Sequence, residues 1–443
     1  MTITYDPTDA AYFDEGDLRQ EMTRVFDLCH GCRMCFNLCT SFPTLFAYVD
    51  DKPNQAAHLM SAVEQDQVVS ECFHCKKCGD VTCPYTPGQG HEWQLDFPRL
   101  MLRAIAVKKQ MGERKMVDHV LPRTDLLGKL ATLAAPIANA TTQTPGSLSR
   151  RVIEKTLGIA AQRVLPPFTK TRFSTWFSRR PSLLIKDQQA KVALFPTCLV
   201  EYQDPRIGHD LVKVYEHNRV ACTLPAGVAC CGAPWLHSGE VGKFRDQAAK
   251  NVAPLAQAVR SGYDIVVPQP TCGFTLKKDY AVYLKGTPHE ADAALVAKHT
   301  YDSSEYLWKL HKGEGTSINT EFTGSIPDTT TYHVSCHLQA QQIGLKSRDL
   351  MKLTGTKLTL VNKCSGIDGT WGYRAANYEL AKKIAKPLGE LIKRADSDIV
   401  TGDCHLANGS ITEETGAIPM HPLQMLARAY GIGEESTSAK ERT

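Results

Sequence analysis

The chain has 443 residues, 42% of them hydrophobic and 22% charged, which suits a globular protein of two or three domains. Sixteen cysteines over that length exclude a short secreted disulfide scaffold, and a net charge of +4 gives no strong overall bias toward nucleic acid. No signal peptide is expected, because MTITYDPTDAAYFDEGDLRQ has no basic region leading into an apolar core; no membrane-spanning helix is expected either, because no mostly apolar run reaches roughly 18 residues.

The first informative segment holds two cysteine runs, Cys29-x-x-Cys32-x-x-Cys35-x-x-x-Cys39 and Cys72-x-x-Cys75-x-x-Cys78-x4-Cys83-Pro84. Three thiolates at i, i+3 and i+6 on a tight turn reach three irons of one [4Fe–4S] cube, and the fourth ligand comes from the other run. The expected sets are therefore Cys29, Cys32, Cys35 and Cys83 for one cluster, and Cys72, Cys75, Cys78 and Cys39 for the second. Zinc is the alternative, but paired zinc ligands leave the third cysteine of each triplet unexplained. Thr40 stands where a proline often follows the fourth cysteine, and four residues rather than three separate Cys78 from Cys83. His74 is expected either to hydrogen-bond a sulfide or to be a surface imidazole. Thiolates kept free for iron imply a reducing compartment, the cytoplasm.

Residues 99–180 follow, with sixteen Lys or Arg against four Asp or Glu. They include LLGKLATLAAPIANA (126–140), which is too short to span a membrane and is broken by Lys129 and Pro136. In 165–180, Lys170, Arg172, Arg179 and Arg180 interleave with Phe168, Phe173, Trp176 and Phe177. That pattern suits peripheral contact with the inner face of the cell membrane, or packing against a neighbouring domain or subunit. No nucleic-acid-binding signature accompanies the charge.

From residue 188 onward one α/β unit is written twice. KVALFPTC (191–198), RVACTLP (219–225) and YDIVVPQPTCG (263–273) read as strands, alternating with helices over 204–218 and 239–261. TTYHVSC (330–336), TKLTLVN (356–362) and SDIVTGDC (397–404) repeat the order, with a helix over 377–396. Such alternation predicts parallel sheets with ligands at the strand C-termini. Cys198, Cys230, Cys231 and Cys272 should converge, as should Cys336, Cys364 and Cys404. Cys222 lies inside a strand and is expected to be a buried structural thiol.

The Cys…Cys-Cys-Gly…Cys repeat resembles the CCG domain of the heterodisulfide-reductase-related family. YHVSCHLQAQQIG (332–344), KCSGIDGTWGY (363–373) and MHPLQMLARAYG (420–431) are similar to its iron–sulfur subunits, among them the C subunits of anaerobic glycerol-3-phosphate dehydrogenases and the iron–sulfur subunits of glycolate oxidases. The resemblance implies an N-terminal α-helical two-cluster ferredoxin-like domain (1–115), a basic and aromatic helical linker (116–187), and two Rossmann-like α/β CCG domains (188–325 and 326–443), the second degenerate. It also implies an electron-transfer subunit that works with a flavoprotein dehydrogenase and passes electrons to a quinone or another acceptor. The alternatives are a soluble donor to a rubrerythrin-like peroxide-reducing protein and a thiol–disulfide reductase. Full CCG boxes end in C-x-x-C, whereas here Thr275 and Ala407 take the last position and Ser365 replaces one of the paired cysteines. The first box keeps four thiols, enough for a further cluster. The second keeps three and would need a non-sulfur ligand such as His333, His337, Asp403, His405 or Ser365, although His337 and His405 equally suit a hydrogen bond at a strand end. No dinucleotide or P-loop fingerprint is present, so hydride chemistry is expected on a partner.

Overall fold

The structure is a computed structural model and describes residues 5–113, 115–181, 185–367 and 369–433. The N-terminal segment folds as helices Glu15–Cys32, Ser41–Asp50, Ala62–Ser70 and Phe97–Gln110. Side chains fix their starts: Asp14 accepts from Asp17 N, Ser61 and Glu64 form a reciprocal capping box, and Asp96 accepts from Arg99 N. Each such cap is worth about 1 kcal/mol. The helices enclose an aromatic and aliphatic core in which Phe42 and Phe97 pack with ring centroids 4.6 Å apart. Cys72 belongs to this core and five other cysteines of the two runs border it, so the thiols sit on a rigid wall.

Two parallel sheets carry the rest. The first consists of β1 (Ala190–Leu194), β2 (Val220–Thr223), β3 (Asp264–Val267) and β4 (Thr300–Asp302), in the order β2-β1-β3-β4. The second consists of β5 (Thr329–His333), β6 (Lys357–Val361) and β7 (Ile399–Gly402), in the order β6-β5-β7. In both sheets the first strand is central and the next two flank it, which is the expected repeat; β4 is an addition to it.

Three strands stop earlier than their apolar runs. After β1 the chain turns at Pro196 and enters the helix Thr197–Tyr202; after β3, Pro268 and Pro270 lead into Pro270–Phe274; after β5, the helix Cys336–Ala340 begins. Proline has no N–H to give to a sheet ladder, so Cys198 and Cys272 ride in short helices beyond the strand ends. The helix Pro422–Ala429 crosses back, and Leu423, Leu426 and Tyr430 join the core of the first repeat with Ile207, Leu211 and Val214. Buried Arg163 ties the linker to the second repeat, donating to the Gly372 carbonyl at 3.0 Å and meeting Glu413 at 3.0 Å.

Candidate iron–sulfur centres

Among the described residues no three Cys, His, Asp or Glu side chains close around a single-ion site; the fold instead gathers thiols into wider groups. Cys29 feels the charges of Cys35, Cys83 and Cys32, and Cys83 feels Cys32. Cys39 feels Cys72 and Cys75, and Cys78 feels Cys75, Cys72 and Cys39. The runs thus exchange their last cysteines, and the groups adjoin at Cys35, which also senses Cys39 and Cys75. The one-residue excess between Cys78 and Cys83 is absorbed by a π-helical turn over Cys78–Thr82, closed by Cys83 N–H donating to the Cys78 carbonyl at 2.9 Å.

Burial, then mutual repulsion, pushes the Cys29 and Cys78 thiols well up and Cys35 up to about 12. Crowded thiols that resist ionisation alone are a donor set for a polycation, whose charge offsets theirs. Amide donors are already aimed at the sulfurs. Ser41 and Phe42 N–H groups, at the start of a helix, point to Cys39; Tyr85 N–H points to Cys83; His74 N–H lies 3.5 Å from Cys72 Sγ. Arg33, His74 and Lys76 adopt positive φ of 55°, 54° and 65°, each costing about 1–2 kcal/mol, and this turns the loops around the thiols. His74 is only 4% exposed, which removes the surface-imidazole expectation. Burial, aided by Lys76, lowers its pKa to about 3, and its ring packs at a tilt against His237, 5.1 Å between centroids.

The first CCG box converges as expected. Cys198 contacts Cys230, Cys230 contacts Cys231, and Cys231 contacts Cys272. Cys230 is favoured as a thiolate because both neighbouring thiols and the Gly232 N–H donate toward it. Gly232 needs its φ of 88°, and a Cβ there would meet Phe244 at 2.9 Å. Buried Asn251 braces the loop, donating to the Cys230 carbonyl and the Tyr280 hydroxyl, each at 2.9 Å; that hydroxyl donates to the Cys231 carbonyl at 3.0 Å. Asp125, from the linker, accepts the Cys230 N–H at 3.0 Å. Burial, then the Cys230 charge, pushes its carboxyl up to about 6. No pattern in residue order points to this contact across 105 positions. Cys222 stands apart, packed with the core around Val192 and Tyr215.

The second box is smaller and leans on the ferredoxin region. The Cys336 thiol contacts both Cys364 and Cys75, and Gly366 N–H lies 3.4 Å from Cys364 Sγ. Gln269 of the first repeat donates to Cys404 Sγ at 3.4 Å and accepts from His405 N–H at 3.2 Å. A cavity of about 30 Å³ is lined by Cys75, Cys336, Cys364, Cys404, His333 and His337. Of the other non-sulfur candidates, Asp403 accepts from the Tyr332 and Ser347 hydroxyls, while His405 faces a separate cavity of about 880 Å³ between the repeats.

The basic aromatic segment is turned inward. Phe173 is buried, and Trp176 stacks on His209 at 3.9 Å between centroids. Besides Met116, the exposed large apolar residues of the linker lie on helices Thr124–Leu133, Ala135–Thr142 and Leu148–Leu157: Leu126, Leu127, Leu130, Leu133, Ile137, Leu148 and Val152. Among the described residues no helix is long and apolar enough to cross a membrane.

Residues 28–86 match the 4Fe-4S dicluster domain family, and residues 192–277 and 330–407 match the cysteine-rich CCG domain family. The C subunit of anaerobic glycerol-3-phosphate dehydrogenase of Escherichia coli K12 is 30% identical over 318 residues, 70% of this chain and 76% of that protein. The B subunit of fumarate reductase (CoM/CoB) of Methanothermobacter marburgensis is 27% identical over 253 residues, 54% of this chain and 47% of that protein. Lactate utilization protein A of Geobacillus kaustophilus is 28% identical over 222 residues, 48% of this chain and 87% of that protein. The chain belongs to the family of iron–sulfur electron-transfer proteins that join a 4Fe-4S dicluster domain to two CCG domains, the family that includes the C subunit of anaerobic glycerol-3-phosphate dehydrogenase.

Proposed function

We propose that this chain is the electron-relay subunit of a dehydrogenase, carrying single electrons from a flavoprotein partner to a quinone or another acceptor. The observation that carries the reading is the pair of reciprocal thiol groups with the second CCG box against one of them, at Cys75. The relatives' names add support, since glycerol-3-phosphate dehydrogenase and fumarate reductase are oxidoreductases. Cys29, Cys32, Cys35 and Cys83 hold one [4Fe–4S] cluster, Cys39, Cys72, Cys75 and Cys78 the second, and Cys198, Cys230, Cys231 and Cys272 a third. Bound clusters supply reversible one-electron exchange. The chain's own residues fix the thiols and direct amide N–H groups at sulfur. The domains run over 1–115, 116–187, 188–325 and 326–443. Affinity purification of the tagged chain from its native cells, followed by addition of the partner's substrate, tests the reading. A flavoprotein should co-purify, and its substrate should bleach the iron–sulfur absorbance. A co-purifying di-iron protein of the rubrerythrin type, or bleaching by a disulfide-forming thiol alone, would overturn it.

Peripheral contact with an anionic membrane belongs to the same proposal, through the three linker helices rather than through 165–180. Leu133 is 85% exposed, Leu148 80% and Ile137 69%. Over residues 119–158 the exposed charged side chains are Arg123, Lys129, Arg151 and Lys155, all cations. An aliphatic face rimmed by cations suits anionic lipid, each Lys or Arg adding roughly 1 kcal/mol near the surface. The inner side of the helix Thr124–Leu133 touches the first box through Asp125, so Cys230 lies within one helix diameter, roughly 10 Å, of that face. Sedimentation with anionic vesicles at low and high salt tests this contact. Retention that salt weakens is the expected result, and indifference to vesicles at low salt would contradict it.

A further inference from the structure

The second CCG box gathers three cysteines, one short of a complete ligand set, and His333 supplies a nitrogen in a form ready for metal. The residue ends β5 and is only 1% exposed. Its Nε2 lies 3.0 Å from the Lys363 carbonyl oxygen. A carbonyl can only accept, so Nε2 carries the ring hydrogen and Nδ1 is left as a bare lone pair. That Nδ1 is buried without a hydrogen-bond partner. Residues of this kind are rare, because a desolvated acceptor is costly unless something takes its lone pair. His333 lines the same cavity as Cys336, Cys364 and Cys404. A second buried group without a partner, the Ser335 hydroxyl, belongs to a residue lining that cavity too.

We propose that His333 Nδ1 is the fourth ligand of an iron–sulfur cluster whose other ligands are Cys336, Cys364 and Cys404. An imidazole that donates one N–H to a backbone carbonyl while presenting its other nitrogen is the usual posture of a metal-bound histidine. The competing candidates are engaged elsewhere. His337 Nδ1 sits 3.2 Å from the Thr271 hydroxyl, Asp403 is held by Tyr332 and Ser347, and His405 opens onto the other cavity. Ser365 would have to shed a hydroxyl proton to bind iron well, whereas His333 needs no proton loss. The Ser335 hydroxyl is free to donate to a cluster sulfide. Because Cys336 contacts Cys75, the centre lies directly beside the second ferredoxin group. A nitrogen ligand raises the reduction potential relative to an all-thiolate site, which makes this centre an electron sink next to that group. The assignment rests on the relay reading above.

The test is pulsed electron paramagnetic resonance on the full-length protein, purified anaerobically with natural-abundance or ¹⁵N-labelled histidine and titrated with reductant. The expected result is a histidine nitrogen coupling on a centre of relatively high potential, changed by the label. His333→Cys should keep the iron, abolish the coupling and lower that potential, while His333→Ala should lose the iron of one centre. A coupling that persists in His333→Cys, a wild-type protein without any label-sensitive coupling, or stoichiometric zinc would overturn the assignment. The coupling is read separately from the ferredoxin signals, whose absence would count against the relay reading instead.

Discussion

The two α/β repeats have the same strand order, β2-β1-β3 and β6-β5-β7, yet their boxes are built for different surroundings. The first holds four thiols, is braced by Asn251 and Tyr280, and is covered by the linker through Asp125. The second holds three thiols and a bare imidazole nitrogen, and is covered by the ferredoxin region through Cys75. Their sheets close on parallel backbone ladders that involve no cysteine of the repeats except Cys222, which is not a box ligand, so ligands can be lost or exchanged while the ladders remain. The glycine after each paired position is kept for a conformational reason: Gly232 and Gly366 both have positive φ, and a Cβ on Gly366 would lie 2.3 Å from the Ala381 carbonyl oxygen. The repeat preserves the turn and varies the donors.

The contrast between the boxes breaks most readily at the first. Cys231→Ser should remove one iron–sulfur signal and leave the ferredoxin signals intact, as read by anaerobic iron analysis and paramagnetic resonance; if Cys222→Ser does this instead, the ligand set is wrong. Next comes the join between linker and second repeat. Glu413→Gln strands the buried Arg163 cation and should cost about 3 kcal/mol in denaturant unfolding, whereas a change below about 0.5 kcal/mol would show that the pair does not hold the repeat in place. Trp176→Ala should cost about 2 kcal/mol, because the ring packs on the first repeat, while vesicle binding persists. Loss of vesicle binding at unchanged stability would restore the segment 165–180 as the membrane contact.

His421 gives an effect on the helix that joins the repeats that is absent at neutral pH and grows with acidity. Burial lowers its pKa from 6.5 to about 3, and its Nδ1 accepts the Leu423 N–H at the start of that helix. Below pH 6.5 the unfolded chain takes up a proton that the folded one refuses. Stability from this residue is therefore complete above that pH and falls by about 1.4 kcal/mol per unit toward pH 3. His421→Asn should flatten the slope by that amount, and an unchanged slope would show that the group titrates normally. The smallest effect is expected from Leu130→Ser with Leu133→Ser: stability within about 0.5 kcal/mol of wild type, but weaker retention by anionic vesicles.

Much of this arrangement is legible in the chain because sulfur spacing and strand–helix alternation are local. The two cysteine runs and both repeats can be read from residue order alone, although the box cysteines lie in short helices and loops beyond the strand ends rather than on the strands. What escapes is the direction in which side chains face. The rings of 165–180 suit a membrane surface or a neighbouring domain equally by type, and only the structure shows Phe173 and Trp176 packed inward. The leucines of 126–133 look like a spanning helix cut short, yet they form an exposed face. Asp125 and Cys230 are too distant in sequence for their hydrogen bond to be foreseen. His333 is one of five candidate ligands by residue type, and only its tautomer and unpartnered nitrogen single it out.

The most direct test of the relay is reduction of the anaerobically purified full-length protein, with iron, acid-labile sulfide and zinc measured on the same sample. The relay requires two low-potential [4Fe–4S] centres in the N-terminal region, about eight irons there, with magnetically coupled spectra because the cysteine runs interlock. Those coupled signals should survive Cys231→Ser and be lost in Cys78→Ser. Stoichiometric zinc, or about four irons or fewer in the whole chain, one cube's worth, would contradict it.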